Sequence, residues 1–113
     1  MEDCIFCKIA NKEIGSLIYE DDMVAAFNDL NPQAPIHILV VPKKHISTLN
    51  ELTEEDAPVV GHMAYVASRL AKEKGIDENG YRLIMNCNHD AGQTVFHIHM
   101  HILGGKPLKE GLA

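Results

Sequence analysis

Basic residues are scarce in this 113-residue chain: ten Lys and Arg stand against sixteen Asp and Glu, a formal charge of −6. That balance excludes a general nucleic-acid binder, because phosphate contacts along a duplex need clustered cations. It leaves room for a small anionic substrate held by a few local donors. No apolar run approaches the roughly 20 residues that cross a bilayer, so no membrane partner is expected. The first residues, MEDC, are acidic and lack the basic-then-apolar layout of a secretory signal. The expected location is the cytoplasm. Cysteine is sparse and odd in number, with Cys4, Cys7 and Cys87 alone, which disfavours a disulfide scaffold. Tryptophan is absent altogether. There is no internal repeat, low-complexity tract or linker. The length and the 46% hydrophobic content suit one domain spanning residues 1–113 with a real core.

Periodicity supplies the elements. Residues 4–11 (CIFCKIAN) carry Ile5, Phe6 and Ile9 on a short helical segment. Residues 17–20 and 23–29 read as strands around the turn-forming Glu20-Asp21-Asp22. NPQAP, residues 31–35, is a loop, since each proline restricts its predecessor. In the strand 36–41, Ile36, Ile38 and Val40 share one face and His37, Leu39 and Val41 the other. Residues 53–74 form the one long helix, with Val59, Met63, Val66 and Leu70 as its core stripe. Thr53 is its expected N-cap and Gly75 its stop. Pro58 conflicts with so early a start, so an irregular first turn, or a start near Asp56, is expected. Residues 81–87 and 94–103 complete the strands, with a loop at 89–93 and Cys87 expected as a small buried hydrophobe. The class is α+β: a mainly antiparallel sheet, one long helix and a short N-terminal helix.

What the chain has in unusual measure is histidine at one place. Three of its seven histidines occupy alternate positions in FHIHMHIL. Strand alternation turns His97, His99 and His101 to one side and Phe96, Ile98, Met100 and Ile102 to the other, against the helix. Solvated histidines on an open face are the bland alternative. A single metal held by all three is disfavoured, because the outer pair lies about 13 Å apart along a strand. The third reading uses one imidazole as nucleophile on phosphorus and its neighbours for charge and proton handling. The loop DAGQT favours it. Gly92 permits close backbone approach to an anion, and Thr94 adds a hydroxyl. Asn86, near the end of the preceding strand, reaches the same place if the strands pair. His62 and His89 stay unassigned, on the helix surface and in a loop.

FHIHMHIL resembles the His-φ-His-φ-His-φ-φ signature of the histidine triad (HIT) superfamily. CIFCKIANKEI, FNDLNPQAPIHILVVPKKHIS, GYRLIMN and AGQTVFHIHMHILGG resemble its Hint branch of nucleotide-binding proteins, in the same order. The resemblance implies a hydrolase of nucleoside 5′-phosphoramidates, or related P–N and P–O bonds, that binds purine nucleotides. It implies a nucleotidylated intermediate on His99, with His101 and His37 assisting charge and proton movement. By the same resemblance Asn86, Gly92, Gln93, Thr94, His99 and His101 contact phosphate. Asp29, with Leu30 beside it, takes the ribose hydroxyls, and Ile5, Phe6, Ile9 and Phe27 wall the base. A carboxylate suits a vicinal diol, although core packing explains the aromatic positions equally well. The branch is homodimeric, so a homodimer is expected. Two rival readings are a non-catalytic nucleotide-binding signalling or scaffold module and a Fhit-like dinucleoside polyphosphate hydrolase.

The sequence departs from the branch in two places. Thr94 stands where animal members carry Ser, with the hydroxyl retained. The Trp-bearing tail of familiar members is replaced by KPLKEGLA, which leaves leaving-group preference open. Finally, Cys4 and Cys7 with His45 and His97 make a Cys₂His₂ donor set suited to a structural zinc, and some bacterial HIT proteins look similar at these positions. Two ordinary thiols beside a surface histidine, or a redox Cys-x-x-Cys, are the alternatives.

Overall fold

A computed structural model of the chain describes residues 4–110. Five strands form one antiparallel sheet: β1 (Tyr19–Glu20), β2 (Val24–Asn28), β3 (Ile36–Pro42), β4 (Tyr81–Ile84) and β5 (Met100–Gly104), in the order β1-β2-β3-β5-β4. A six-residue helix, α1 (Ile5–Ala10), precedes the sheet, and α2 (Ala57–Glu73) crosses between β3 and β4. The α+β class and the antiparallel pairing are those expected.

The sheet divides its work by face. On one side Val24, Ala26, Ile38, Val40, Ile98, Met100 and Ile102 pack against Val59, Met63, Val66, Ala67 and Leu70 of α2. On the other, Ala25, Phe27, Leu39 and Val41 pack against Phe6 and Ala10 of α1. The β3–β5 register sets Leu39 opposite His101 and His37 opposite Leu103. His37 and His101 are thus diagonal neighbours on the face away from α2.

The long helix starts where proline allows. Thr53 opens a 3₁₀ turn at Glu54–Asp56, and its N–H donates to the Asp56 carboxylate at 3.0 Å. The α-helix proper begins at Ala57 with Pro58 in its first turn, where a missing N–H costs no helical bond. It ends at Gly75, which adopts φ +73°. The Gly75 N–H bonds the Lys72 carbonyl and the Ile76 N–H bonds the Ala71 carbonyl, a Schellman closure that drops Ile76 into the core. Among the described residues no helix is long and apolar enough to cross a membrane.

Three expectations are corrected. The last strand begins at Met100, not at residue 94, and the chain bends through residues 95–97. Phe96 is consequently 48% exposed and not in the core. The fourth strand stops at Ile84, so Cys87 lies beyond it, half-buried, as a free thiol. Residues 111–113 of the tail lie outside the described residues, while Arg82 on β4 holds the tail by donating to the Lys109 carbonyl at 2.7 Å.

Met63 is fully buried at the centre of the α2 stripe. Met63→Ala is expected to lower unfolding free energy by about 2–5 kcal/mol, measured by urea denaturation. A loss under half a kilocalorie would mean that α2 is not the lid of this core.

Candidate active site

The site lies on the face opposite α2, and its geometry follows from where each histidine finds its hydrogen bonds. His97 is completely buried. Its Nε2 lies 2.8 Å from the Pro42 carbonyl at the end of β3. A carbonyl only accepts, so the proton sits on Nε2 and the lone pair on Nδ1. That lone pair faces Cys4 Sγ at 3.2 Å and Cys7 Sγ at 3.5 Å. Cys7 Sγ in turn lies 3.3 Å from His45 Nδ1. One donor atom from each of these four residues lies within 4.8 Å of the other three. Local structure presents them. Cys4 caps α1, its sulfur accepting the Cys7 N–H at 3.3 Å. The loop carrying His45 is tied down by Lys44 to the buried carboxylate of Asp56 at 2.7 Å. Burial first and the neighbouring Cys4 second push the Cys7 thiol up to about 11. Burial likewise pushes His97 down to about 4, against the pull of the Pro42 carbonyl.

His99 is buried, and its Nδ1 lies 2.8 Å from the carbonyl of His97, two residues back. Nδ1 therefore donates, and Nε2 carries the lone pair. Phe6 packs edge-on against this ring at a centroid distance of 5.0 Å, and His101 does so from the other side at 5.0 Å. Two flanking rings and one hydrogen bond leave the imidazole little freedom.

His37 is fixed by the loop expected at NPQAP. The Gln33 N–H donates to His37 Nδ1 at 3.0 Å, so the His37 proton sits on Nε2. That nitrogen lies 2.9 Å from His101 Nδ1 and 3.3 Å from Asp29 Oδ2. Neutral His101 accordingly keeps its own proton on Nε2. Burial first, then the neighbouring His99 and His37, push His101 down to about 4. Burial also lowers His37, with Asp29 opposing.

The loop before the triad differs from expectation in its donors. Gln93 is buried and spends its amide internally: Nε2 donates to the Ser47 and Val95 carbonyls, and Oε1 accepts the Asn88 N–H. The Gly92 and Gln93 N–H groups are taken by the His89 and Asn88 carbonyls. Gln93 thus clamps both backbone groups of Asn88, a residue held at φ +65° and ψ −174°, a region costly for non-glycine residues. Thr94 is exposed at the end of this loop, and Asn86 is half-buried just beyond β4. Phe6 and Phe27 are buried edge to face with centroids 5.5 Å apart, and Ile9 is half-buried against them. Ile5 is largely exposed and Leu30 is 98% exposed, so Leu30 makes no wall by itself.

His89 is solvent-exposed and, where a loop was expected, opens a 3₁₀ turn at His89–Ala91. His62 on α2 has a partner the sequence did not reveal. Its Nε2 lies 2.6 Å from Asp21 Oδ2, which also accepts the Tyr19 hydroxyl. Although burial opposes it, these bonds and the Val24 and Met23 N–H groups hold the Asp21 carboxyl well below the carboxylate range. A cavity of about 730 Å³ lined by Pro35, Ile36, Lys74, Ile76 and Lys106 lies by the C-terminal end of α2. It contains none of the histidines.

Residues 3–111 match the family model described as scavenger mRNA decapping enzyme C-term binding. Escherichia coli (strain K12) purine nucleoside phosphoramidase is 51% identical over 113 residues, covering 99% of this chain and 95% of the relative. A histidine triad protein from Clostridium difficile superposes with a TM-score of 0.95 at 55% identity, covering 98% of this chain and 97% of the other. This chain belongs to the histidine triad superfamily. A HIT family hydrolase from Clostridium thermocellum is similar at TM-score 0.96 and 44% identity, over 100% of this chain and 99% of the other. Within that superfamily fold, the histidines fall into two groups: His97 and His45 face the cysteines, whereas His99, His101 and His37 face one another.

The depressed histidines give a stability prediction with a definite sign. His101 ordinarily titrates at 6.5 but at about 4 when folded, so between those values the unfolded chain binds the extra proton. Unfolding free energy is expected to fall by about 1 kcal/mol as pH drops through this window, after discounting for solvent screening. In His101→Gln the pH dependence of the urea midpoint should flatten across the same window. An unchanged slope would assign the loss to other groups.

Proposed function

We propose that this histidine triad protein hydrolyses nucleoside 5′-phosphoramidates, and related P–N or P–O bonds at the α-phosphorus of purine nucleotides, through a nucleotidylated His99. One observation carries the reading: His99 gives its Nδ1 proton to its own backbone at His97 and keeps an oriented lone pair on Nε2. A nucleophile held in one tautomer by that hydrogen bond and in one orientation by its flanking rings is poised for in-line attack on phosphorus. The 51% identity to a purine nucleoside phosphoramidase supports the substrate class.

His99 Nε2 bonds the α-phosphorus while the bond to the leaving amine breaks, and the amine takes the His101 Nε2 proton as the pair draws one from solvent, so that both imidazoles stay neutral. Water then attacks the same phosphorus, the P–Nε2 bond breaks, and the proton from water passes through the pair back to solvent. The nucleoside monophosphate leaves, and His99 is restored. His101 presents an N–H to the phosphate oxygens, joined by Thr94 and the Asn86 amide. Gly92 and Gln93 shape that loop, since their N–H groups are already bonded within it. Asp29 accepts the ribose hydroxyls, and Phe6, Phe27, Ile9 and Ile5 line the base.

The donor set Cys4, Cys7, His45 and His97 fits zinc. Zn–S near 2.3 Å and Zn–N near 2.0–2.1 Å imply S···N edges of about 3.5 Å in a tetrahedron, and the Sγ···Nδ1 separations here are 3.2–3.5 Å. The His97 Nε2–H bond to Pro42 is the outer-shell partner that a ligating imidazole requires. Four protein ligands fill the tetrahedron, so the ion would be structural, neutralising two thiolates and tying α1 to the sheet. We also infer a homodimer. The outer edge of β4 is open, and Leu83 is exposed on it, which suits strand pairing with a second copy. Free thiols at all three cysteines suit the reducing cytoplasm.

His99→Ala is expected to reduce turnover of an adenosine phosphoramidate by about 10⁴-fold or more, with circular dichroism unchanged. A variant that turns over at the parental rate would remove the covalent mechanism. Metal analysis of protein purified without added metal should find about one zinc per chain, lost in Cys7→Ser together with several degrees of melting temperature. Metal-free protein of undiminished stability would retire the zinc site.

A further inference from the structure

Asp29 sits where two roles meet. Its N–H donates to the His37 carbonyl at 3.0 Å, so it continues the β2–β3 ladder directly opposite His37. Its carboxylate makes two contacts. Oδ1 accepts the Asn31 N–H at 2.8 Å and closes the turn, while Oδ2 lies 3.3 Å from His37 Nε2. His37 has one proton to give from that nitrogen, because its Nδ1 is already an acceptor for Gln33. His101 Nδ1 at 2.9 Å and Asp29 Oδ2 at 3.3 Å compete for it.

We propose that Asp29 is a positioning residue for the His37–His101 pair, acting through the ribose. When the 2′- and 3′-hydroxyls of a bound ribonucleotide donate to Asp29, its carboxylate ceases to compete for the His37 Nε2 proton. His37 then commits that proton to His101 Nδ1, and His101 keeps its own proton on Nε2, toward the phosphate. The inference rests on the nucleotide reading of the site given above.

The electrostatics run the same way. An unengaged carboxylate favours an additional proton on the imidazole pair beside it, and one shared with two hydroxyls favours it less. The titratable groups that face the pair are Asp29, from the end of β2, and His99, on the approach to β5. Of these, only Asp29 meets the ribose. A ribonucleotide therefore tightens the neutral relay, and a nucleotide lacking both hydroxyls leaves the competition in place. Sugar identity is thereby read at the proton-handling residues and not in affinity alone.

The test is an NMR pH titration of the imidazoles of His37 and His101 in the full chain. It is run saturated with adenosine 5′-monophosphate and then with 2′,3′-dideoxyadenosine 5′-monophosphate. The phosphate and base are common to both, so their effects cancel. The pair is expected to titrate at lower pH with the ribonucleotide by about half a unit, a fraction of the roughly 1–3 units a neighbouring charge contributes. Asp29→Asn keeps an acceptor for the Asn31 N–H and is expected to erase the difference. Coincident titrations of the parent protein with the two nucleotides would overturn the proposal, because an Asp29 that merely anchors the sugar changes affinity without moving the pair. If neither nucleotide perturbs His99 or His101, the nucleotide reading of the site falls first and takes the proposal with it.

Discussion

The hydrogen bond from His99 Nδ1 to the His97 carbonyl is the constraint on which the proposed chemistry depends. Imidazole has two nitrogens and, when neutral, one proton, so fixing the donor fixes the lone pair. The accepting carbonyl must itself be immobile for this to work. His97 is held from three directions: its ring bonds Pro42 of β3, its free nitrogen faces Cys4 and Cys7, and Phe6 packs against it at 6.1 Å. Orientation of the proposed nucleophile thus passes through the backbone of a residue whose side chain belongs to the cysteine cluster. The two groups of histidines are distinct in space yet share that one peptide unit.

The division of the sheet into two faces makes this arrangement affordable in a chain of 113 residues. The buried residues that pack on α2 are all aliphatic or methionine, with Val40, Met63, Ile98 and Ile102 almost wholly excluded from water. The opposite face collects the polar groups, and short ties hold the loops that frame it. Lys44 and Asp56 hold the His45 loop, Gln33 holds His37, and Gln93 holds the bend that leads into the triad. The described residues contain no buried side-chain polar atom without a partner. Burying several neutral imidazoles is tolerable only under that condition, since each unpartnered nitrogen would cost about 1–3 kcal/mol.

Much of this was legible in the sequence because it rests on residue type and period. Alternation in IHILVV and in HIHMH assigned faces correctly for His37, His97, His99 and His101, and the α2 stripe named its core residues. Pro58 and Gly75 marked the ends of the long helix by the conformations they refuse or permit. Illegible were features set by register and by local bends. Phe96 falls outside the core because the chain bends before the ladder begins, and alternation cannot report a bend. Asp29 faces His37 because β2 and β3 pair in one register, which no short-range pattern specifies. The phosphate contact at Gln93 was implied by the resemblance alone, and no short-range pattern reports that its side-chain amide satisfies three backbone groups.

Proximity of donors alone does not tell a metal site from a proton relay, and lone-pair accounting separates the two clusters of this protein. Cys4, Cys7, His45 and His97 converge, as do Asp29, His37 and His101. In the first group the His97 proton points away, to Pro42, and the inward nitrogen is bare. Two thiols able to ionise complete a set that favours a soft divalent cation. In the second group His37 already accepts a backbone N–H on Nδ1, so its inward Nε2 carries hydrogen. A metal there would require either loss of that bond or an imidazolate. The His37 Nε2 proton therefore occupies the space between Asp29, His37 and His101, which suits the proposed proton handling and not an ion. Which way each imidazole faces is decided outside the cluster, by Pro42 in one case and by Gln33 in the other.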